Sequence, residues 1–456
     1  MVTRELLEDT TARAAKYLDG LETRTVAPSS AAVERLRLLD RPLPEQPAPP
    51  SEVIRELDEL VSPATTGMAG PRYFGFVIGG TLPTALAANW LAGAWDQNTG
   101  LAQATPGTSG LERVALRWLL EMLHLPPQCG AGFVTGTTVA HITALAAARH
   151  NVLGRVGWNV EADGMFGAPP ITVVVGAEAH TTLFKALGVV GLGRNRVIRV
   201  PVDGQGRMRV DALPEISGPA IVCVQAGNVN TGAFDPIAEI IPWAHAKGAW
   251  VHVDGAFGLW AAAVPSLSHL IAGVADADSW ATDAHKWLNV PYDSGVAFVR
   301  DAEALRAAMS VTAEYLPPAG ELRHPSDYTP ELSRRARGVE VWAALRALGK
   351  QGLVELVERN CRQARRFAEG LRARGHTIHN DVVLNQALVS FGDAEETNRV
   401  IAEIQRDGTC WCGGTVWQGI TAMRISVSSW ATTDADVEKS LEAMLRIAAT
   451  SSRPAR

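Results

Sequence analysis

The chain has 456 residues, too many for one small hydrophobic core, so two or three domains are expected. Apolar residues make up 47% and charged residues 20%, a globular balance that excludes a disordered chain. A net charge of −6 gives no electrostatic footprint for nucleic acid, and five cysteines, with Cys410-Trp-Cys412 too tight for a zinc pair, point to reduced thiols and no metal site.

Residues 3–24 carry Leu6, Leu7, Ala14, Tyr17, Leu18 and Leu21 at helical spacing. Their acidic start, with Glu5, Glu8 and Asp9, lacks the basic-then-apolar order of a signal peptide. Pro42–Pro50 is a polyproline-prone linker, and Ser51 is expected to cap a helix holding Ile54, Leu57, Leu60 and Val61. Two helices joined by a stiff linker have no core of their own and are expected to wrap onto another surface, a second subunit being one candidate. The most apolar stretch, Leu82–Trp95, is shorter than the about 20 residues of a membrane span. A soluble, cytoplasmic protein is expected.

Between residues 71 and 320 strands and helices alternate. Residues 132–136, 171–176, 196–200, 220–224, 250–253 and 296–299 read as short strands. Most are continuous apolar runs, as parallel strands covered on both faces should be. Ala140–Arg149 and Pro236–Lys247 are helical stretches among them. The last third changes texture: a long helix over 339–374 broken near Gly349 and Gly352, strands at 381–391 and 421–428, and a helix at 434–448. The expected architecture is α/β, a mainly parallel central sheet with helices on both faces plus a smaller C-terminal α+β domain. Its expected parts are an N-terminal arm over 1–70, a large α/β domain over 71–320, and a mobile loop with a small domain over 321–456.

Lys286 stands in Ser279-Trp-Ala-Thr-Asp-Ala-His-Lys-Trp-Leu-Asn-Val-Pro-Tyr-Asp-Ser-Gly295, a stretch poor in charge. Burial lowers a lysine pKa and makes the amine nucleophilic, the state that condenses with aldehydes. Asp254 ends the apolar strand Trp250-Val-His-Val-Asp254, where ligands of open α/β sheets bind; a metal ligand or a helix cap are the plainer roles. A lysine with a strand-end aspartate is the minimum set for pyridoxal phosphate, whose ring nitrogen needs an acid. Gly132-Phe-Val-Thr-Gly-Thr-Thr138 is a strand, a turn and a helix start, a phosphate-binding arrangement or simply a capped helix. His180 closes another strand as a stacking or acid–base group, or as a structural histidine. Asn228, in Gly227-Asn-Val-Asn-Thr-Gly232, serves either a ligand or its own turn. Phe74 and Phe76 are pocket walls or core, and Arg424 is a carboxylate clamp or the partner of an internal acid.

Together these segments, from about Pro71 to Trp430, resemble the group II pyridoxal-phosphate-dependent amino-acid decarboxylases. The likeness rests on the order His180, Asn228, Val251-His-Val-Asp254, His285-Lys286. It implies fold-type I, decarboxylation of an L-amino acid, and a homodimer with active sites at the subunit interface. It also implies roles: Lys286 forms the internal aldimine, Asp254 pairs with the pyridinium nitrogen, His180 stacks on the ring and Ala256 packs its other face. Thr137, Thr138 and His285 hold the phosphate, and Asn228 lies by the ring oxygen. Tyr328 resembles the loop tyrosine that protonates the product, with Tyr315 as its rival. His141 and Asp283 depart from the family pattern, and a carboxylate at position 283 would repel a phosphate unless it turns away or bonds backbone N–H groups. Phe74, Phe76, Trp95 and the Cys410–Trp417 segment tilt the expected substrate towards an aromatic or bulky apolar side chain. The rival readings are a carbon–carbon lyase or aminotransferase on the same cofactor, and a catalytically silent scaffold.

Overall fold

The structure is a computed structural model that describes residues 4–311 and 322–451. By its contacts the chain divides into two units, one of Thr81–Arg362 with Asn380–Gln386, the other of Met1–Gly80, Gln363–His379 and Ala387–Arg456.

The second of these units begins with helices α1 (Arg4–Asp19), α2 (Ser30–Arg35) and α3 (Pro50–Val61). α1 buries no residue and α3 only Leu60, as expected of helices without a core of their own. α3 starts one residue before Ser51: Pro50 takes the first helical position, where a proline's fixed φ and missing N–H cost nothing, so Ser51 is not the cap.

The larger unit opens with α4 (Pro83–Trp95) and α5 (Pro106–Met122). Its sheet, among the described residues, has seven strands: β1 (Gly130–Val134), β2 (Thr172–Gly176), β3 (Ile198–Val200), β4 (Ala220–Gln225), β5 (Trp250–Asp254), β6 (Ser279–Asp283) and β7 (Gly295–Val299). Their order is β1-β7-β6-β5-β4-β2-β3. The pairs from β3 through β6 are parallel, while β7 runs antiparallel to both β1 and β6. The expected mainly parallel α/β fold is therefore present. β6 was not legible as a strand because Ser279, Thr282 and Asp283 interrupt its apolar run, yet all five of its residues are buried.

The crossovers and flanks of this sheet are α6 (Thr137–Gly154), α7 (Val160–Asp163), α8 (Thr181–Val189), α9 (Ile237–Ala246) and α10 (Ala302–Met309). α6 and α8 close one face over Val173, Val175, Ile221 and Cys223, with Trp250 in the same cluster. Burying such side chains contributes about 1.5–3 kcal/mol each. Glu112 on α5 and Arg334 form a fully buried pair at 2.8 Å, and Arg334 also donates to the carbonyls of Thr99 and Phe133. The long helix α11 (Gly338–Arg372) kinks at Gly349, whose φ of 61° only glycine adopts readily.

The smaller unit is completed by α12 (Ala394–Asp407), α13 (Asp434–Ser451) and an antiparallel sheet with strand order β10-β11-β9-β8, where β8 is Thr377–Ile378, β9 Gln386–Ser390, β10 Gly413–Trp417 and β11 Ile420–Ser426. Arg72 ties the N-terminal segment to this unit through Asp436 at 2.9 Å and the carbonyls of Glu22 and Thr409. Among the described residues no helix is long and apolar enough to cross a membrane.

Candidate active site

The parallel strands of the larger unit deliver their functional residues at their carboxyl ends. Asp254 is the last residue of β5 and Asp283 the last of β6; His180 follows β2 and caps α8. This is the edge at which open α/β sheets bind ligands. Asp254 is 4% exposed; its Oδ1 accepts the Ala256 N–H at 3.2 Å and its Oδ2 lies 3.5 Å from His141 Nε2. Burial alone would raise its pKa. His141 opposes that most strongly, followed by His180 and Lys286, and together they hold the carboxyl well below the usual range. Asp254 is therefore a buried carboxylate that stays ionised.

Lys286 follows in a turn held rigid on both sides. The N–H groups of Ala284 and His285 donate to the Ser294 carbonyl, and Ser294 N–H donates back to His285 Nδ1 at 3.1 Å. Trp287 and Leu288 are fully buried, and Trp287 Nε1 donates to Asn360 Oδ1 at 3.0 Å. Asn289 takes a left-handed conformation with φ 56°, which asparagine tolerates. The Lys286 ammonium sits 3.1 Å from Asp283 Oδ2 and 5.9 Å from the Phe257 ring centre. His285 stacks on Tyr292 with ring centres 4.2 Å apart.

The Gly/Thr turn lies against the same cluster. Gly136 precedes α6, and Thr137 N–H donates to Asp283 Oδ1 at 2.6 Å. Asp283 thus bonds backbone N–H, one of the two arrangements its sequence position allowed. Burial works against its charge, but Lys286 and His285 outweigh it and its pKa is lowered. The hydroxyl of Thr137 is buried and, among the described residues, has no hydrogen-bond partner. Gly295 makes this packing possible, since a Cβ there would stand 2.5 Å from Gly136 Cα and 2.7 Å from its carbonyl carbon. Both obstacles are backbone and cannot yield locally. Gly295→Ala is expected to push the turn off β7, costing about 1–3 kcal/mol and weakening phosphate binding. Urea unfolding and equilibrium binding of pyridoxal phosphate would measure it; wild-type values for both would refute this account of the turn.

The other sequence candidates fall into two groups. Ala256 lies beside Asp254, with Asp283 N–H donating to its carbonyl at 2.9 Å. His180 Nδ1 accepts Thr182 N–H at 3.3 Å and lies 2.7 Å from the Thr182 hydroxyl. Thr138 stands in the first turn of α6. Asn228 is buried; its Oδ1 accepts the N–H groups of Asn230 and Thr231 within its own turn, and its Nδ2 donates at 3.1 Å to Glu178, which follows β2. Tyr328 was expected on a mobile loop. It ends a short 3-10 turn, Pro325–Tyr328, and packs on the cluster under α6 and α8, with the Arg323 guanidinium 4.1 Å from its ring centre. Tyr315 lies outside the described residues. Phe74, Phe76 and Arg424 belong to the smaller unit. Phe74 is a core residue, 1% exposed and edge-on to Phe367, whereas Phe76 is 59% exposed and tilts over Trp411. Arg424 lies within β11, its pKa lowered by burial against the opposing influence of Tyr73.

Sequence reasoning missed the support beneath Asp254. His141 Nδ1 and His252 Nε2 are 2.8 Å apart, His252 Nδ1 is 2.9 Å from Ser279 Oγ, and Trp250 Nε1 donates to the same Oγ at 2.8 Å. The one available signal was His141 as a departure from the family pattern. Burial first, then His141, pushes the His252 pKa down to about 3. A neutral buried imidazole adds stability that is complete above the unfolded pKa of about 6.5 and is lost as pH falls through that range. The expected slope is about 1.4 kcal/mol per pH unit. Asp235, raised to about 6 chiefly by burial, has the opposite sign, its contribution being lost as pH rises from about 4 to 6. The wild-type curve is therefore partly flattened, and the clean readout is a difference. Urea unfolding of wild type and His252→Asn from pH 4 to 7 should show the stability gap widening as pH rises; a constant gap would refute it.

A pyridoxal phosphate matches this donor set. Asp254 supplies an ionised acid for a pyridine nitrogen, Lys286 a primary amine, and the α6 start with the unpartnered Thr137 hydroxyl an anion site. The comparisons with known proteins agree. The profile of the pyridoxal-dependent decarboxylase conserved domain matches residues 33–392. Tryptophan decarboxylase 1 of Oryza sativa subsp. japonica is 29% identical over 426 residues, covering 85% of this chain and 82% of its own. The aromatic-L-amino-acid decarboxylase of Rattus norvegicus is 27% identical over 411 residues, covering 85% of each. The crystal structure of Oryza sativa TDC with PLP and tryptamine superposes with a TM-score of 0.89 at 24% identity, over 98% of this chain and 97% of that one.

Proposed function

Because the chain belongs to the family of pyridoxal-dependent decarboxylases, we propose that it releases carbon dioxide from an aromatic L-amino acid, with Lys286 carrying the cofactor. It is a pyridoxal-phosphate-dependent carboxy-lyase acting on an amino acid. The aromatic class is supported by the relatives, named as tryptophan and aromatic-L-amino-acid decarboxylases.

When bound, pyridoxal 5′-phosphate supplies an aldehyde that takes up amines and a ring that accepts electrons. Lys286 offers the amine, and Asp283 holds it at the end of β6. Asp254 holds a proton at the ring nitrogen and carries the compensating negative charge. Thr137, Thr138 and the start of α6 take the phosphate, with His285 beside them. His180 and Ala256 would hold the ring. The observation that carries this reading is that adjacent parallel strands bring Asp254, the last residue of β5, and Lys286, three residues beyond the end of β6 and 3.1 Å from Asp283, to the same edge of the sheet.

The decisive assay incubates the loaded enzyme with a panel of L-amino acids and follows carbon dioxide, amine, aldehyde and keto acid. Carbon dioxide and amine in equal amounts, fastest with tryptophan, tyrosine or phenylalanine, are expected. Basic or acidic amino acids as preferred substrates would overturn the aromatic reading, and keto acid as main product the decarboxylation.

The same reading includes a homodimer in the cytoplasm. Leu7 on α1 is 59% exposed and Leu57 on α3 is 54% exposed, while Trp90, Leu91 and Trp95 on α4 are 44%, 55% and 48% exposed. Apolar helix faces of this kind are covered in a stable assembly. All five cysteines are free, in keeping with a reducing compartment. Sedimentation equilibrium at micromolar protein should give twice the chain mass; a monomer would end the proposal.

A further inference from the structure

We propose that Trp250, Ser279, His252 and His141 form a one-way hydrogen-bond chain whose last N–H points at Asp254, making the last three positioning residues for the cofactor's acid. The chain runs from Trp250 Nε1 to Ser279 Oγ, from Ser279 to His252 Nδ1, from His252 Nε2 to His141 Nδ1, and from His141 Nε2 towards Asp254 Oδ2. Every residue in it is buried; Ser279, His252 and His141 are 0% exposed.

Its direction follows from donor counting. The indole N–H of Trp250 can only donate, and a neutral imidazole has one donor and one acceptor. With Trp250 donating to Ser279 Oγ, the serine O–H needs an acceptor, and His252 Nδ1 is the one within reach. His252 then carries its proton on Nε2 and donates to His141 Nδ1. His141 in turn carries its proton on Nε2, the nitrogen facing the carboxylate at 3.5 Å. Among the described residues that nitrogen has no closer partner. Reversing the chain with neutral rings would leave the Ser279 O–H unbonded and turn an imidazole lone pair towards a carboxylate. A doubly protonated His141 would spare Asp254 that repulsion but still orphan the Ser279 O–H. The one-way chain gives Trp250, Ser279 and His252 a partner for each proton and leaves the last N–H, on His141 Nε2, 3.5 Å from the Asp254 carboxylate.

Other titratable groups face this chain. Cys223 on β4 has its thiol pKa raised by burial and then by Asp254, Asp235 lies beyond β4, and His180 and Lys286 flank Asp254 from the ligand side. The relay's functional meaning rests on the reading of Asp254 as the cofactor's acid, but its proton arrangement does not.

The test uses the full-length protein labelled with 15N-histidine, without cofactor. Two-bond proton–nitrogen correlation spectra, assigned with His141→Asn and His252→Asn, report which ring nitrogen bears the proton. Both rings are expected to carry a proton on Nε2 and to accept at Nδ1. An Nδ1–H form at either ring, or a doubly protonated His141, overturns the proposal. Ser279→Ala should let His252 change tautomer and weaken pyridoxal phosphate binding on the order of tenfold. Ser279→Thr, which keeps the hydroxyl, should restore both. A Ser279→Ala protein that folds and keeps the wild-type tautomers also overturns it. Correct tautomers with unchanged cofactor affinity would retain the chain but refute its positioning role.

Discussion

Lys286→Arg should retain the fold and lose carbon dioxide release by on the order of 10^4-fold or more. The arginine keeps a positive charge opposite Asp283, whose carboxylate otherwise faces the Lys286 ammonium at 3.1 Å. It cannot act as a nucleophile, because a guanidinium does not lose its proton in proteins. Lys286→Ala should be equally inactive and less stable, since the largest support for the buried charge of Asp283 is Lys286. The pair therefore separates chemistry from stability. Borohydride reduction of the loaded wild type, followed by peptide mapping, should place the pyridoxyl group on Lys286 and nowhere else. Pyridoxyl on another lysine, or an arginine variant within tenfold of wild type, would end the assignment.

What was legible in the sequence is what is local in the chain. The strands β2, β4 and β5 are continuous apolar runs, and each reads directly as a buried parallel strand. Asp254 and Lys286 were equally legible, because a strand-end carboxylate and a lysine with buried neighbours are short signals. The relay was not. Its contacts join positions 111 residues apart in the His141–His252 contact and 27 apart in the His252–Ser279 contact. The use of Asp283 has the same cause, since its partner Thr137 lies 146 positions earlier. Tyr328 shows the converse. Its motif resembled a loop acid, but packing against the α6–α8 cluster and the Arg323 guanidinium decides where it sits. The smaller α+β part was legible too, but not its union with the N-terminal segment, because the unit is assembled from three separated stretches.

The second large effect is expected at Asp254. Asp254→Asn preserves volume, but its single amide oxygen can face either the Ala256 N–H or His141, so its NH2 meets the other. It removes the negative charge proposed to hold a proton at the cofactor nitrogen. That charge matters most when electrons flow towards the ring, so the loss should fall on kcat rather than KM. A drop on the order of 10^3-fold is expected, about 4 kcal/mol of transition-state stabilisation. Cofactor attachment through Lys286 should persist, which distinguishes this variant from Lys286→Arg. The structure also ranks it against the relay. Ser279→Ala leaves the carboxylate in place and alters only the N–H aimed at it, so its effect should be smaller by about two orders of magnitude. Steady-state kinetics on both variants, with fold checked by circular dichroism, test the ranking. An asparagine variant with kcat within threefold of wild type would show that Asp254 is not the cofactor's acid. Equal losses in the two variants would show instead that the carboxylate cannot act without its buried support.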